Sequence, residues 1–90
     1  MRLVAVSVQH IEDWPEVAYC KYEVRLSQAR HLKVRRLGAA CVHIAACLAN
    51  TAGSKVVHTE QAGAEARRFT IRRASENMPS PGNTTELAQL

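Results

Sequence analysis

Basic side chains are the residues of this chain whose type and spacing best suit a chemical role. They gather in two clusters, one before position 40 and one after position 66. The eight residues of these clusters are Arg30, Lys33, Arg35, Arg36, Arg67, Arg68, Arg72 and Arg73. Guanidinium groups bind phosphate and carboxylate oxygens through paired hydrogen bonds, and nine of the twelve basic residues are arginine. The clusters therefore predict a surface that binds an anionic partner.

The charge of the whole chain agrees with such a partner. The net charge is +4, which favours nucleic acid, a nucleoprotein complex or an acidic protein surface. The first cluster lies where a helix is expected to begin, and cations there oppose the helix dipole unless an anion binds. The alternative interpretation is that each cluster is only the solvated face of its element.

Aromatic residues are sparse beside the basic clusters. Only Phe69 lies among the arginines, and its position in an alternating segment predicts that it belongs to the core. A protein that binds single strands by stacking bases on aromatic rings is therefore not favoured. Contact with a phosphate backbone or with an acidic protein fits the pattern better.

The cysteines and histidines do not predict a metal centre. Cys41 and Cys47 are six positions apart on an expected helix, about 240° around its axis, so they cannot share one ion. His43 and Cys47 are four positions apart and supply half a site at most. We expect buried thiols and surface histidines, with no metal and no cofactor.

No catalytic pattern is evident in the sequence. A nucleophile next to a base, paired carboxylates and a glycine-rich phosphate loop are all missing at informative spacing. Cys20 with a histidine remains conceivable, as in any chain that has both, but nothing visibly activates it. We expect a protein that is not an enzyme.

The first half of the chain predicts two strands. Residues 2–10 place valines on one face, and residues 17–26 alternate between an apolar and a mainly polar face. Residues 11–16 suit either a turn or a helix start. A helix continuing from Trp14 would put Lys21 and Arg25 inside its apolar arc, so we favour the strand.

A long helix is predicted to begin at the N-cap Ser27 and to end at Gly53. Its expected apolar stripe consists of Val34, Leu37, Cys41, Ile44, Leu48 and Ala52. The other flank is short of charge and is expected to form a homodimer interface through Ala39, Val42, Ala46 and Ala49. Alternatively, its alanines serve helix propensity alone. Gly38 indicates a close packing contact or a kink.

The second half of the chain predicts two further strands, 55–60 and 67–73, with Phe69 and Ile71 facing the helix. Residues 75–90 are turn-rich and predict a flexible polar tail. The expected fold is therefore α+β: one domain over 1–74 with an antiparallel four-stranded sheet, in the order ββαββ, and a helix packed on one face.

The function expected from these features is that of a small non-catalytic binding or regulatory protein. It would engage nucleic acid or a nucleoprotein complex through the arginine clusters. The alternative is an inhibitor or adaptor, encoded by a phage or mobile element, that occludes a host protein. No stretch has the roughly 18 apolar residues of a membrane span, and no signal segment precedes the first strand. We therefore expect a cytoplasmic protein with no membrane partner.

Overall fold

One helix packs against a five-stranded antiparallel sheet in the computed structural model, which describes residues 3–27, 32–51, 53–75 and 82–89. The strands, in chain order, are β1 Leu3–Trp14, β2 Tyr19–Ser27, β3 Lys55–Gln61, β4 Ala66–Arg72 and β5 Thr84–Gln89, and the helix, α1, is Val34–Thr51. Across the sheet the order is β3-β4-β2-β1-β5. The α+β class is as predicted.

The hairpin of β1 and β2 follows from the alternation of buried apolar and more exposed residues in both strands. Its connection is a short 3₁₀ turn, Pro15–Val17, with Ala18 in the left-handed region at φ 58°. The Ala18 N–H donates to the Pro15 carbonyl at 3.2 Å, which closes the turn. A bulge between His10 and Glu12 lets β1 continue to Trp14, beyond the predicted strand 2–10.

The helix begins later than predicted. The Leu37 N–H donates to the Lys33 carbonyl at 2.9 Å, so Lys33 occupies the cap position and α1 begins at Val34. Ser27, the predicted N-cap, is instead the last residue of β2. The predicted end is confirmed, since Gly53 lies just beyond α1 with a φ of 70°.

The hydrophobic core lies between α1 and one face of the sheet. The buried strand residues are Val4, Val6 and Val8 of β1, Cys20, Tyr22, Val24 and Leu26 of β2, and Phe69 and Ile71 of β4. From the helix, Leu37, Cys41, Ala45 and Ala49 enter this core. The centre of the buried stripe therefore differs from the prediction, because Ile44 and Leu48 lie on its flank and are only partly buried. Small residues at the centre allow close approach of helix and sheet.

The predicted strand count of four is wrong, and the order is ββαβββ. β5 pairs with β1, from Leu3 opposite Gln89 to Val8 opposite Thr84. Residues 84–89, which the sequence assigned to a flexible tail, thus form an edge strand. The side chains of residues 84–87 are exposed, Leu87 by 71%, so these positions show no alternation of buried and exposed residues. The independence of residues 1–74 as a domain stays a prediction.

Candidate anion-binding site

The structure separates the predicted cations along the length of the sheet. Lys33, Arg35 and Arg36 are exposed at the start of α1, while Arg72 and Arg73 lie near its end. β4 runs between the two regions. Its seven residues rise about 3.3 Å each, so the two regions are about 20 Å apart. The described residues of the two clusters therefore do not form one surface. Arg30 lies outside the described residues.

Arg67 is directed inward rather than toward a partner. It faces α1 from β4, and its guanidinium nitrogen lies 3.0 Å from the position that a Cβ on Gly38 would occupy. Gly38 thus marks a close packing contact, one of the two alternatives that the sequence left open. Burial raises the pKa of the Cys41 thiol, and the nearby positive charge of Arg67 opposes that rise.

Arg68 belongs to a charge-compensated region in the middle of the helix-free sheet face. Its Nε lies 4.0 Å from the Glu23 carboxylate, which also accepts a 2.6 Å hydrogen bond from Arg25. Beside this group, Lys21 pairs with Glu60 at 2.8 Å, and the Lys21 hydrogen bond and charge lower the pKa of Glu60. Acidic partners therefore satisfy the cations in this region.

Arg72 has a different environment, at the end of the same face. It lies directly opposite Lys55 of β3, and both side chains are exposed. Neither forms an ion pair with a carboxylate in the described ranges. Like charges placed directly opposite each other on neighbouring strands repel. This pair is therefore electrostatically unfavourable until an anion neutralises it.

Arg73, the next residue, is turned away from solvent. Its side chain is 5% exposed, and its guanidinium lies 3.8 Å from the Asp13 carboxylate. Its backbone N–H donates to the Ala18 carbonyl at 2.7 Å, which ties the chain after β4 to the β1–β2 turn. Arg73 is therefore a buried part of the sheet end, and its predicted role in binding an anionic partner stays a prediction.

A cleft of 390 Å³ opens beside these three cations. Its lining includes Lys55, Arg72 and Arg73, together with the left-handed residues Ala18 and Gly53 and the polar Ser75. Its size lies within the range of small-molecule sites. The lining contains no carboxylate among the described residues, so the cleft is suited to an anionic group.

Two aromatic residues are in register with the Arg72 and Lys55 pair, an arrangement that the sequence did not reveal. Trp14 lies opposite Tyr19, and Tyr19 lies opposite Arg72, so the four residues Trp14, Tyr19, Arg72 and Lys55 form one row across four strands. We call it the terminal row. Directly paired residues share a sheet face, and neighbouring strands are about 4.8 Å apart. The row therefore places aromatic rings beside cations on the helix-free face.

A second cleft, of 290 Å³, lies between α1 and β5. His43, Cys47 and Glu86 are among its lining residues, and the Cys47 sulfur lies 3.7 Å from the His43 Nε2. The described part of the chain contains no group of three or more potential ligands placed to hold a metal ion. The Cys47–His43 pair is thus a polar contact within one helix.

The predicted dimer face is only partly available. Ala39 and Val42 are exposed and Ala46 is partly buried, whereas Ala49 is 2% exposed and packs in the core. Ala49 therefore cannot meet a second subunit. A homodimer through the remaining three residues stays a prediction.

Comparison with family models, curated proteins and solved structures finds no match to this chain. Within the described residues, no helix combines the length and the apolar character that crossing a membrane requires.

Proposed function

We propose that this protein is a non-catalytic binding protein that engages an anionic macromolecule, namely nucleic acid or a nucleoprotein complex. The observation that supports this proposal is the opposed pair of Lys55 and Arg72 at a concave cleft. The cations in the middle of the same sheet face are paired with glutamates, but Lys55 and Arg72 form no ion pair with a carboxylate of the described residues. A phosphate group bound there would remove the repulsion and gain charge-assisted hydrogen bonds.

The basic residues at the start of α1 add to the positive electrostatic potential that attracts an anionic partner. Lys33, Arg35 and Arg36 are exposed, and the first turn of the helix contains no acidic residue. Their role in the proposal is long-range attraction, which raises the rate of association with a polyanion and weakens with added salt.

The test is binding of DNA and RNA oligonucleotides, single- and double-stranded, at a series of salt concentrations by fluorescence anisotropy. Affinity should fall linearly on a log–log plot, with a slope of about −0.7 to −0.9 for each phosphate contacted. The double variant Lys55→Ala/Arg72→Ala should bind at least about tenfold more weakly with a shallower slope.

The matched control is Lys21→Ala/Arg25→Ala, which removes one lysine and one arginine from the same sheet face. Both control residues are ion-paired with glutamates, so their loss should affect binding less than the loss of Lys55 and Arg72. Absence of binding to every oligonucleotide at low salt would refute the proposal. Equal losses of oligonucleotide affinity in the two double variants would show that binding is a non-specific attraction between charges and does not depend on the Lys55 and Arg72 pair.

A protein inhibitor or adaptor is the second candidate, and one observation favours it. Leu3 and Leu87 are 59% and 71% exposed, and they lie diagonally on β1 and β5 at the opposite end of the helix-free face. Such residues are suited to anchor a protein partner. Changing both to serine should abolish capture of that partner and leave oligonucleotide binding unaltered.

A further inference from the structure

The terminal row and the adjoining cleft together offer the two kinds of contact that one nucleotide needs. A cation pair and a cleft suit a phosphate, and partly exposed aromatic rings suit a base. We propose that this end of the sheet binds the phosphorylated end of a single-stranded nucleic acid. The inference deepens the proposed function and depends on it.

The charge of the cleft favours a terminal phosphate over an internal one. Lys55 and Arg72 contribute two positive charges that no carboxylate of the described residues neutralises. A phosphate monoester carries close to two negative charges at neutral pH, whereas a phosphodiester carries one. A strand end therefore balances the exposed pair, and an internal phosphate leaves one charge unbalanced.

The aromatic residues favour an unpaired strand over a duplex. Tyr19 lies between Trp14 and Arg72 in the row, with one strand spacing on either side. A base can lie on these rings only when it is free of its stack, since bases within a duplex present only their edges and backbone. A nucleotide with its phosphate at Arg72 has its base next to Tyr19.

The single tryptophan makes the contact directly measurable, because Trp14 is the only source of indole fluorescence in the chain. The full-length protein is titrated at constant ionic strength with short single-stranded oligothymidylates that carry a 5′-phosphate, a 3′-phosphate or no phosphate. A phosphorylated strand should quench the emission and bind at least about tenfold more tightly than the unphosphorylated strand. The two phosphorylated strands identify which end is recognised.

Two further titrations separate the phosphate from its carrier. Inorganic phosphate should displace the phosphorylated strand without quenching Trp14 itself, since it carries no base. A phosphoserine peptide should bind more weakly than the phosphorylated strand. Tighter binding of the peptide would overturn the assignment to nucleic acid.

The variants assign the two contacts to residues. Lys55→Ala/Arg72→Ala should abolish the preference for a phosphorylated end, while Lys21→Ala/Arg25→Ala should retain it. Tyr19→Ala should weaken strand binding about tenfold and leave inorganic phosphate binding unchanged. Tyr19 is partly buried, so Tyr19→Leu, which keeps an apolar side chain, repeats the test should the alanine variant not fold.

The outcomes distinguish this inference from the proposed function. Equal affinity for phosphorylated and unphosphorylated strands, or binding without a change in Trp14 emission, would overturn the strand-end site and leave general nucleic-acid binding intact. Failure of all oligonucleotides to bind would overturn both.

Discussion

Gly38 and Arg67 show how one residue of the helix depends on one residue of the sheet. A glycine within a helix costs about 1 kcal/mol relative to alanine, so its presence calls for a compensating contact. The Arg67 guanidinium supplies that contact, because one of its nitrogens lies 3.0 Å from the position that a Cβ on residue 38 would occupy. A methyl group there would have to displace the end of a long, flexible side chain.

This dependence predicts a coupling between the two positions. In the wild-type background, Gly38→Ala should change the free energy of unfolding by less than about 0.5 kcal/mol, since the gain in helix propensity is offset by displacement of Arg67. In an Arg67→Ala background the same substitution should stabilise the protein by about 1 kcal/mol. Urea denaturation of the four proteins measures the difference, and equal effects in both backgrounds would contradict the contact.

The basic residues illustrate what residue type alone reveals about a site. Their types predict affinity for anions, but their orientation depends on strand alternation and on neighbours distant in sequence. Arg67 faces the helix, Arg68 meets Glu23, and Arg73 is buried. These arginines are equivalent in the sequence, whereas in the structure Arg72 is the exposed arginine of the cleft.

At the scale of the element, α1 is oriented by its small residues. Ala45 and Ala49 are 1% and 2% exposed and sit at the centre of the contact with the sheet. The larger Ile44 and Leu48 lie beside that contact and reach the second cleft. The apolar stripe predicted from the larger side chains is therefore rotated slightly around the helix, relative to the residues that contact the sheet.

This orientation predicts that enlarging a central alanine is costly. Ala45→Leu should lower the free energy of unfolding by about 1–3 kcal/mol or more, because the core has no room for the added atoms. Ala39→Leu makes the same change at an exposed position of the same helix and should alter stability by less than about 0.5 kcal/mol. Thermal or urea denaturation compares them, and similar losses at both positions would contradict the packing.

Most of the elements were predictable because each carries a local pattern. The alternation in residues 17–26 and 67–73 predicts β2 and β4 to within a few residues, since each strand has one face in the core. β5 has no such pattern, as its residues from Thr84 to Leu87 are exposed. Its position depends on backbone pairing with β1, which no side-chain periodicity records.

The terminal row was unpredictable for a related reason. Trp14, Tyr19, Lys55 and Arg72 come from four strands, and only the register of three strand pairs aligns them. A bulge in β1 and another in β3 shift that register by one residue each. Few aromatic residues are therefore near the arginines in the sequence, although in the sheet Tyr19 lies next to Arg72 and Trp14 lies one strand further along the row.

On the scale of the whole molecule, the net charge of +4 is unevenly distributed. The middle of the helix-free face is neutralised by Glu23 and Glu60, whereas Lys55 and Arg72 at the end of that face form no ion pair with a carboxylate of the described residues. A surplus of like charge destabilises the folded state through self-repulsion. Binding of an anion that neutralises it should therefore stabilise the fold.

This linkage predicts that inorganic phosphate raises the melting temperature more than chloride at equal ionic strength. A ligand that binds only the folded state adds RT ln(1 + [L]/Kd), about 1.4 kcal/mol at ten times Kd, or roughly 6–11 °C for a domain of this size. Phosphate is also excluded from protein surfaces in general, and that contribution should be the same in every variant.

The variants separate the two contributions to the melting temperature. Lys55→Ala/Arg72→Ala should lose the specific part of the rise, because the opposed cations that bind the anion are gone. Lys21→Ala/Arg25→Ala changes the net charge by the same amount but leaves the cleft intact, so it should retain the full rise. Differential scanning fluorimetry in chloride and phosphate measures both. A rise of equal size in the two variants would show that phosphate acts by general exclusion and that the opposed pair binds no anion.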